Sequence, residues 1–134
     1  MEPSEPKRQS ILIVEDDADV SDALSLVLQD ASYTVHCAGN GREALDHLRG
    51  GGRTDPPAVI LLDLMMPVMN GHEFRAAQLA DADLAGIPVL VLSGDGNVAQ
   101  KAVAVHADGY LVKPVDVGTL LETVARHCRS DKGT

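Results

Sequence analysis

Five short runs rich in apolar residues recur along the chain: Ile11 to Val14, Tyr33 to Ala38, Ala58 to Asp63, Pro88 to Leu92 and Tyr110 to Val112. Each reads as a strand. Between them the apolar positions change period. Val20, Leu24, Val27, Leu28 and Ala31 are spaced by four, three, one and three and predict one face of a helix. Ala44, Leu45 and Leu48 are expected to face inward from a helix over Gly41 to Leu48, and Phe74, Ala77 and Leu79 to be buried on one over Gly71 to Ala80. An Ala/Val-rich stretch, Val98 to His106, predicts a fourth helix. Val117, Leu120, Leu121, Val124 and Cys128 stripe a fifth over Asp116 to Cys128. Asp17 and Asn40 stand where a short polar side chain accepts the free amide hydrogens of a first turn. Gly50-Gly51-Gly52 and Asp55-Pro56-Pro57 mark a loop, as do Pro67 and Gly71.

Strand and helix therefore alternate five times. The strand runs are apolar throughout rather than every second residue, the pattern of strands covered by helices on both faces. The expected fold is α/β: a doubly wound five-stranded parallel sheet with right-handed crossovers. A length of 134 residues fits one domain. Met1 to Ser10 is polar, has two prolines and reads as a flexible leader. Residues 11–128 carry the domain, and 129–134 form a short polar tail. The chain stops soon after the fifth helix, which suggests a small protein without an effector domain.

Composition narrows the functions. Twenty acidic against 11 basic residues give a formal charge of −9. That sign disfavours a nucleic-acid backbone or an anionic membrane surface as partner, and suits a basic protein surface or a divalent cation. No run approaches the roughly 18 apolar residues of a membrane span, and the leader lacks a signal-peptide core. Cys37 and Cys128 suggest neither a metal cluster nor a disulfide framework. A cytoplasmic location is expected.

The chemistry gathers at the strand ends. In a parallel sheet all C-terminal strand ends share one edge, where open α/β folds place their sites. That edge collects Glu15, Asp16 and Asp17 after the first strand, Asp63 at the end of the third, Ser93 after the fourth and Lys113 after the fifth. Crowded carboxylates need a proton or a cation. A set of oxygens without His or Cys points to Mg²⁺ and away from zinc. Lys113 and Ser93 suit the oxygens of a phosphoryl group, and Asp63 suits a nucleophile that forms an acyl phosphate. Asp17 reads better as a helix cap than as a ligand. The five histidines are scattered, and none reads as a phosphohistidine.

Four stretches in this order resemble the response-regulator receiver family of two-component signalling: Ile11 to Asp17, Asp63 to Gly71, Val91 to Gly94 and Gly109 to Pro114. The resemblance runs from Ile11 to about Cys128. It implies a flavodoxin-like strand order 2-1-3-4-5 and Asp63 as the phosphoacceptor. It further implies Asp16 as a direct Mg²⁺ ligand, Glu15 as the second acid of the pair, and the backbone carbonyl of Met65 completing the metal shell. Ser93 and Lys113 match the family's hydroxyl and lysine positions, Tyr110 its aromatic switch, and Lys113–Pro114 its cis peptide. The implied partners are a histidine kinase or histidine phosphotransfer protein and a downstream protein. The downstream protein would bind the face made by the fourth helix, fifth strand and fifth helix. The chain would be a monomer or a weak phosphorylation-dependent dimer.

Some positions depart from the commonest family pattern. The acidic pair is Glu-Asp rather than Asp-Asp, Val115 stands where phenylalanine is frequent, and Gly109 where an acid is frequent. Met65 and Asp95, two residues past Asp63 and Ser93, border the expected route of hydrolytic water. The expected function is a phosphorylation switch that catalyses its own labelling and slow dephosphorylation. The alternatives are a receiver excised from a longer regulator or hybrid kinase, a phosphohydrolase, and a phosphate-blind binding module. A phosphohydrolase would need a leaving-group acid at Met65. A binding module would not need Asp16, Asp63, Ser93 and Lys113 together.

Overall fold

The computed structural model describes residues 9–50, 56–94 and 96–128. Strands β1 (Ser10–Val14), β2 (Thr34–Ala38), β3 (Val59–Asp63), β4 (Val89–Ser93) and β5 (Gly109–Val112) alternate with five helices. These are α1 (Ala18–Asp30), α2 (Gly41–Arg49), α3 (Gly71–Ala80), α4 (Val98–Ala104) and α5 (Val117–His127). The sheet is parallel throughout, in the order β2-β1-β3-β4-β5. The leader through residue 8, Gly51, Gly52, Asp55, Asp95 and the tail from residue 129 lie outside the described residues.

Successive strand residues point to opposite faces, and this splits the core in two. Leu12, Val14, Ile60, Leu62, Val89 and Val91 pack with Ala44, Leu48 and Phe74 beneath α2, α3 and α4. Ile11, Ile13, Val59, Leu61, Leu90 and Leu92 pack with Leu24, Leu28, Leu120 and Val124 beneath α1 and α5. Both faces are covered over β1, β3 and β4, which explains their unbroken apolar runs. The edges differ. Thr34, His36 and Cys37 on β2, and Tyr110 and Val112 on β5, are exposed.

The helix caps follow from the sequence. Asp17 accepts from the amides of Asp19 and Val20, and Asn40 from that of Glu43. Asn70 forms a reciprocal capping box with Glu73. Three expected core positions are exposed instead. Ala31 is the C-cap of α1, past the last turn that faces the sheet. Leu79 and Val117 are 41% and 52% exposed. On α3 the buried places one turn apart belong to Phe74, Arg75 and Gln78, so two polar residues occupy a face read as apolar. Helix α4 ends at Ala104, short of His106, which has a positive φ of 55°.

One glycine decides how close α3 comes to the end of β3. A Cβ on Gly71 would lie 2.6 Å from the Asp63 carbonyl oxygen and 2.6 Å from Leu64 Cα. Both are backbone atoms that cannot turn aside. Gly71→Ala should destabilise the fold by about 1–3 kcal/mol, an overpacking cost, measured by denaturant unfolding. An unchanged midpoint would show that the α3 junction has slack.

Candidate functional site at the carboxyl edge of the sheet

The strand register sets the site. Val14 pairs with Leu62 and Asp63 with Leu92, so Glu15 and Asp63 leave β1 and β3 at the same level. Ser93 pairs with Val112, and the Lys113 amide donates to the Ser93 carbonyl at 2.9 Å. Four neighbouring strands thus deliver Glu15, Asp63, Ser93 and Lys113 to one place. Glu15, Asp63 and Ser93 are 3%, 6% and 7% exposed, whereas Asp16, next in the loop, is open to solvent.

Three carboxylates meet here. Glu15, Asp16 and Asp63 each offer an oxygen, and these oxygens lie within 4.8 Å of one another. Lys113 faces them, with Nζ 2.6 Å from Glu15 Oε1 and 3.5 Å from Asp63 Oδ2. The second oxygen of each buried acid is held by backbone. Glu15 Oε2 accepts from the Asp17 amide at 3.1 Å, and Asp63 Oδ1 from the Met65 amide at 2.9 Å. Glu15 Oε1 is buried and meets the Lys113 ammonium as a close ion pair rather than through a well-directed hydrogen bond.

The electrostatics are those of an excess of negative charge. Burial pushes the Glu15 carboxyl above its ordinary value; Lys113 and the Asp17 amide oppose this, while nearby Asp63 adds to it. Burial alone would lower Lys113, but Glu15 and Asp63 outweigh it and hold the ammonium above its ordinary value. Two carboxylates this close repel by about 3–4 kcal/mol at an effective dielectric constant near 20, and one lysine is shared between them. A hard divalent cation suits this set of three converging carboxylates with no soft ligand among them.

The remaining expected residues are adjacent. Met65 follows Asp63 by two and is 69% exposed. Its amide contact to Asp63 was not expected from the sequence, because a backbone donor leaves no mark on residue identity. Tyr110 is 44% exposed, so its ring stands on the outside of β5 beside a cleft of about 340 Å³ lined by Leu111, Lys113, Pro114 and Thr119. The Lys113–Pro114 peptide is cis. Both cysteines are free thiols. At Gly109, where the family frequently has an acid, an added Cβ would meet the Leu90 side chain at 2.9 Å and that of His127 at 3.1 Å, so a side chain there needs both neighbours to shift.

Residues 11–125 match the response regulator receiver domain family. The chain belongs to that family. This receiver is 38% identical over 135 residues to the alkaline phosphatase synthesis transcriptional regulatory protein SphR of Synechococcus elongatus, covering 96% of the chain and 50% of SphR. It is 33% identical over 127 residues to the DNA-binding response regulator MtrA of Mycobacterium tuberculosis, covering 92% of the chain and 53% of MtrA. The receiver thus spans about half the length of the curated relatives it matches. Among solved structures, the chemotaxis protein CheY4 of Vibrio cholerae superposes with a TM-score of 0.80 at 36% identity, over 90% of this receiver and 99% of CheY4. The receiver domain of a histidine kinase from Syntrophus aciditrophicus gives 0.81 at 30% identity, over 94% of each chain.

The raised Glu15 predicts a pH dependence. Folded Glu15 holds its proton more tightly than unfolded Glu15, so the folded chain binds more protons above pH 4.5. Its contribution is therefore fully present below pH 4.5 and is lost as pH rises through the folded value. Denaturant unfolding of the metal-free protein from pH 4 to 7 should show this decline, and Glu15→Gln should flatten it. The same slope in both proteins would mean that Glu15 does not carry the strain.

Proposed function

We propose that this receiver takes a phosphoryl group from a phosphohistidine onto Asp63 and passes the signal on through a change of shape. The observation that carries the reading is the convergence of Glu15, Asp16 and Asp63 within 4.8 Å, faced by Lys113. Nucleophile, cation ligands and counter-charge then share one strand edge.

Asp63 attacks phosphorus with one carboxylate oxygen. The P–N bond to the donor histidine breaks as the P–O bond of the acyl phosphate forms, and the imidazole leaves. Lys113 swings from its shared position onto a phosphoryl oxygen, and Ser93 donates its hydroxyl to another. The Met65 amide keeps Asp63 oriented. Asp16 and Asp63, with Glu15 and the Met65 carbonyl, would hold Mg²⁺, which would supply charge neutralisation to the phosphoryl oxygens. The acyl phosphate is later hydrolysed. The added charge of about −1.5 to −2 shifts the balance between two conformations, with Ser93 and Tyr110 as switch residues.

The donor is a histidine kinase or phosphotransfer protein. The reader of the signal is a protein that docks on α4, β5 and α5, where Val103, Tyr110, Val112 and Val117 are exposed. Residues 11–128 act as the receiver, between the leader and the tail. Among the described residues no helix is long and apolar enough to cross a membrane, and we assign the protein to the cytoplasm, where kinases meet ATP. Two of the matched relatives are named as DNA-binding or transcriptional regulators. A receiver serving such an output is the second reading, favoured by the half-length match.

Acetyl phosphate with Mg²⁺ should add one phosphoryl group, read by intact mass. Asp63→Asn and chelation of the metal should each abolish the gain. Labelling of Asp63→Asn equal to that of the parent would place the chemistry elsewhere.

A further inference from the structure

Arg75 and Gln78 lie outside the carboxylate site, one turn apart on the inner face of α3, at 5% and 0% exposure. A buried guanidinium survives only when its N–H groups are bonded. Arg75 Nε donates to the Val105 carbonyl at 3.0 Å, Nη1 to Gln78 Oε1 at 2.7 Å, and Nη2 to the His106 carbonyl at 2.5 Å. Gln78 is itself fixed, its Nε2 donating to the carbonyls of Leu84 and Ile87 at 2.9 and 3.0 Å.

Val105 is the C-cap of α4. The guanidinium therefore covers the carbonyls at the negative end of that helix, from a neighbouring element. Arginine stays charged there: burial lowers its pKa and nearby Asp108 opposes the change. Asp108 in turn accepts from the Val89 amide at 2.8 Å, so the same corner is tied to β4.

The other end of α4 is built differently. Its N-cap, Asn97, has φ 65° and no side-chain cap bond, and a Cβ on the preceding Gly96 would meet nothing within 4 Å. This end stands four residues past Ser93. Val98, Ala102 and Val105 pack into the core along the whole helix, so the two ends differ in how their backbone is capped: by the Arg75 side chain at one, and without a bond from the N-cap side chain at the other.

We infer that Arg75, braced by Gln78, is a positioning residue that pins the C-terminal end of α4, so that a change at the Ser93 strand end moves the N-terminal half of the helix about a fixed far end. The inference rests on the phosphoacceptor reading for the source of that change. It is a property of these two side chains, since apolar residues on this face of α3 would fill the core without holding the carbonyls.

Amide exchange followed by NMR tests the pin, with labelling by acetyl phosphate and Mg²⁺ checked by mass in the same sample. The reporters are the amide of Lys101, whose bond to the Asn97 carbonyl closes the first turn of α4, and the bonded amides of Val105, His106 and Ala107 at its end. In the parent, labelling should change exchange at Lys101 by about fivefold or more and leave the other three within about twofold. In Arg75→Met/Gln78→Leu, which keeps the volume but removes the bonds, labelling should reach the same mass and the change should extend to Ala107. A merely structural role would weaken the whole fold without altering where the change stops. Equal change at both ends of the labelled parent, or the parental pattern in the labelled double variant, would overturn the pin. If the parent gains no mass, the phosphoacceptor reading fails instead, and the resting proteins decide. Exchange about tenfold faster at Val105 to Ala107 in the double variant, with β1 and β3 amides unchanged, supports the pin, and equal exchange overturns it.

Discussion

Two buried carboxylates share one lysine, and the proposed function depends on that imbalance. Glu15 and Asp63 emerge at the same level from adjacent central strands, with Asp16 beside them. Lys113 touches both but neutralises at most one. The structure keeps them together by giving each acid a backbone amide and by surrounding them with packed strands. The cost is local strain, visible in the raised Glu15 and in an oxygen that lacks a directed bond. On the proposed function, a cation would relieve this strain and a phosphoryl group on Asp63 would redistribute it.

The fold exists, in this sense, to hold that edge rigid. Parallel pairing gathers the strand ends, and burial on both faces of β1, β3 and β4 fixes their register. Gly71 lets α3 begin directly against the end of β3. Beyond the site, α3 reaches α4 through Arg75, so the helix that starts near Ser93 is also held by the helix that starts near Asp63.

Much of this was legible in the residues. Period and capping predicted every helix and strand to within a few positions, because apolar runs and Asp, Asn and Gly punctuation act locally. The meeting of Glu15, Asp16, Asp63 and Lys113 was legible because parallel strands leave one place for their ends. The misses have a common cause. Leu79, Val117 and Ala31 are apolar by type but face outward, while Arg75 and Gln78 are polar by type but buried. A buried arginine is set by carbonyls some thirty residues away, which no local period encodes. The amide bonds from Met65 and Asp17 were equally silent, since every residue but proline carries that donor.

The central claim is that these carboxylates are arranged for a cation. Calorimetric titration with Mg²⁺ near pH 5, in buffers of different ionisation enthalpy, tests it most directly. Saturable one-site binding is predicted, with protons released as the raised Glu15 ionises and with affinity lost in Asp16→Asn. Undiminished binding in Asp16→Asn, or no saturable binding to the parent, would contradict it.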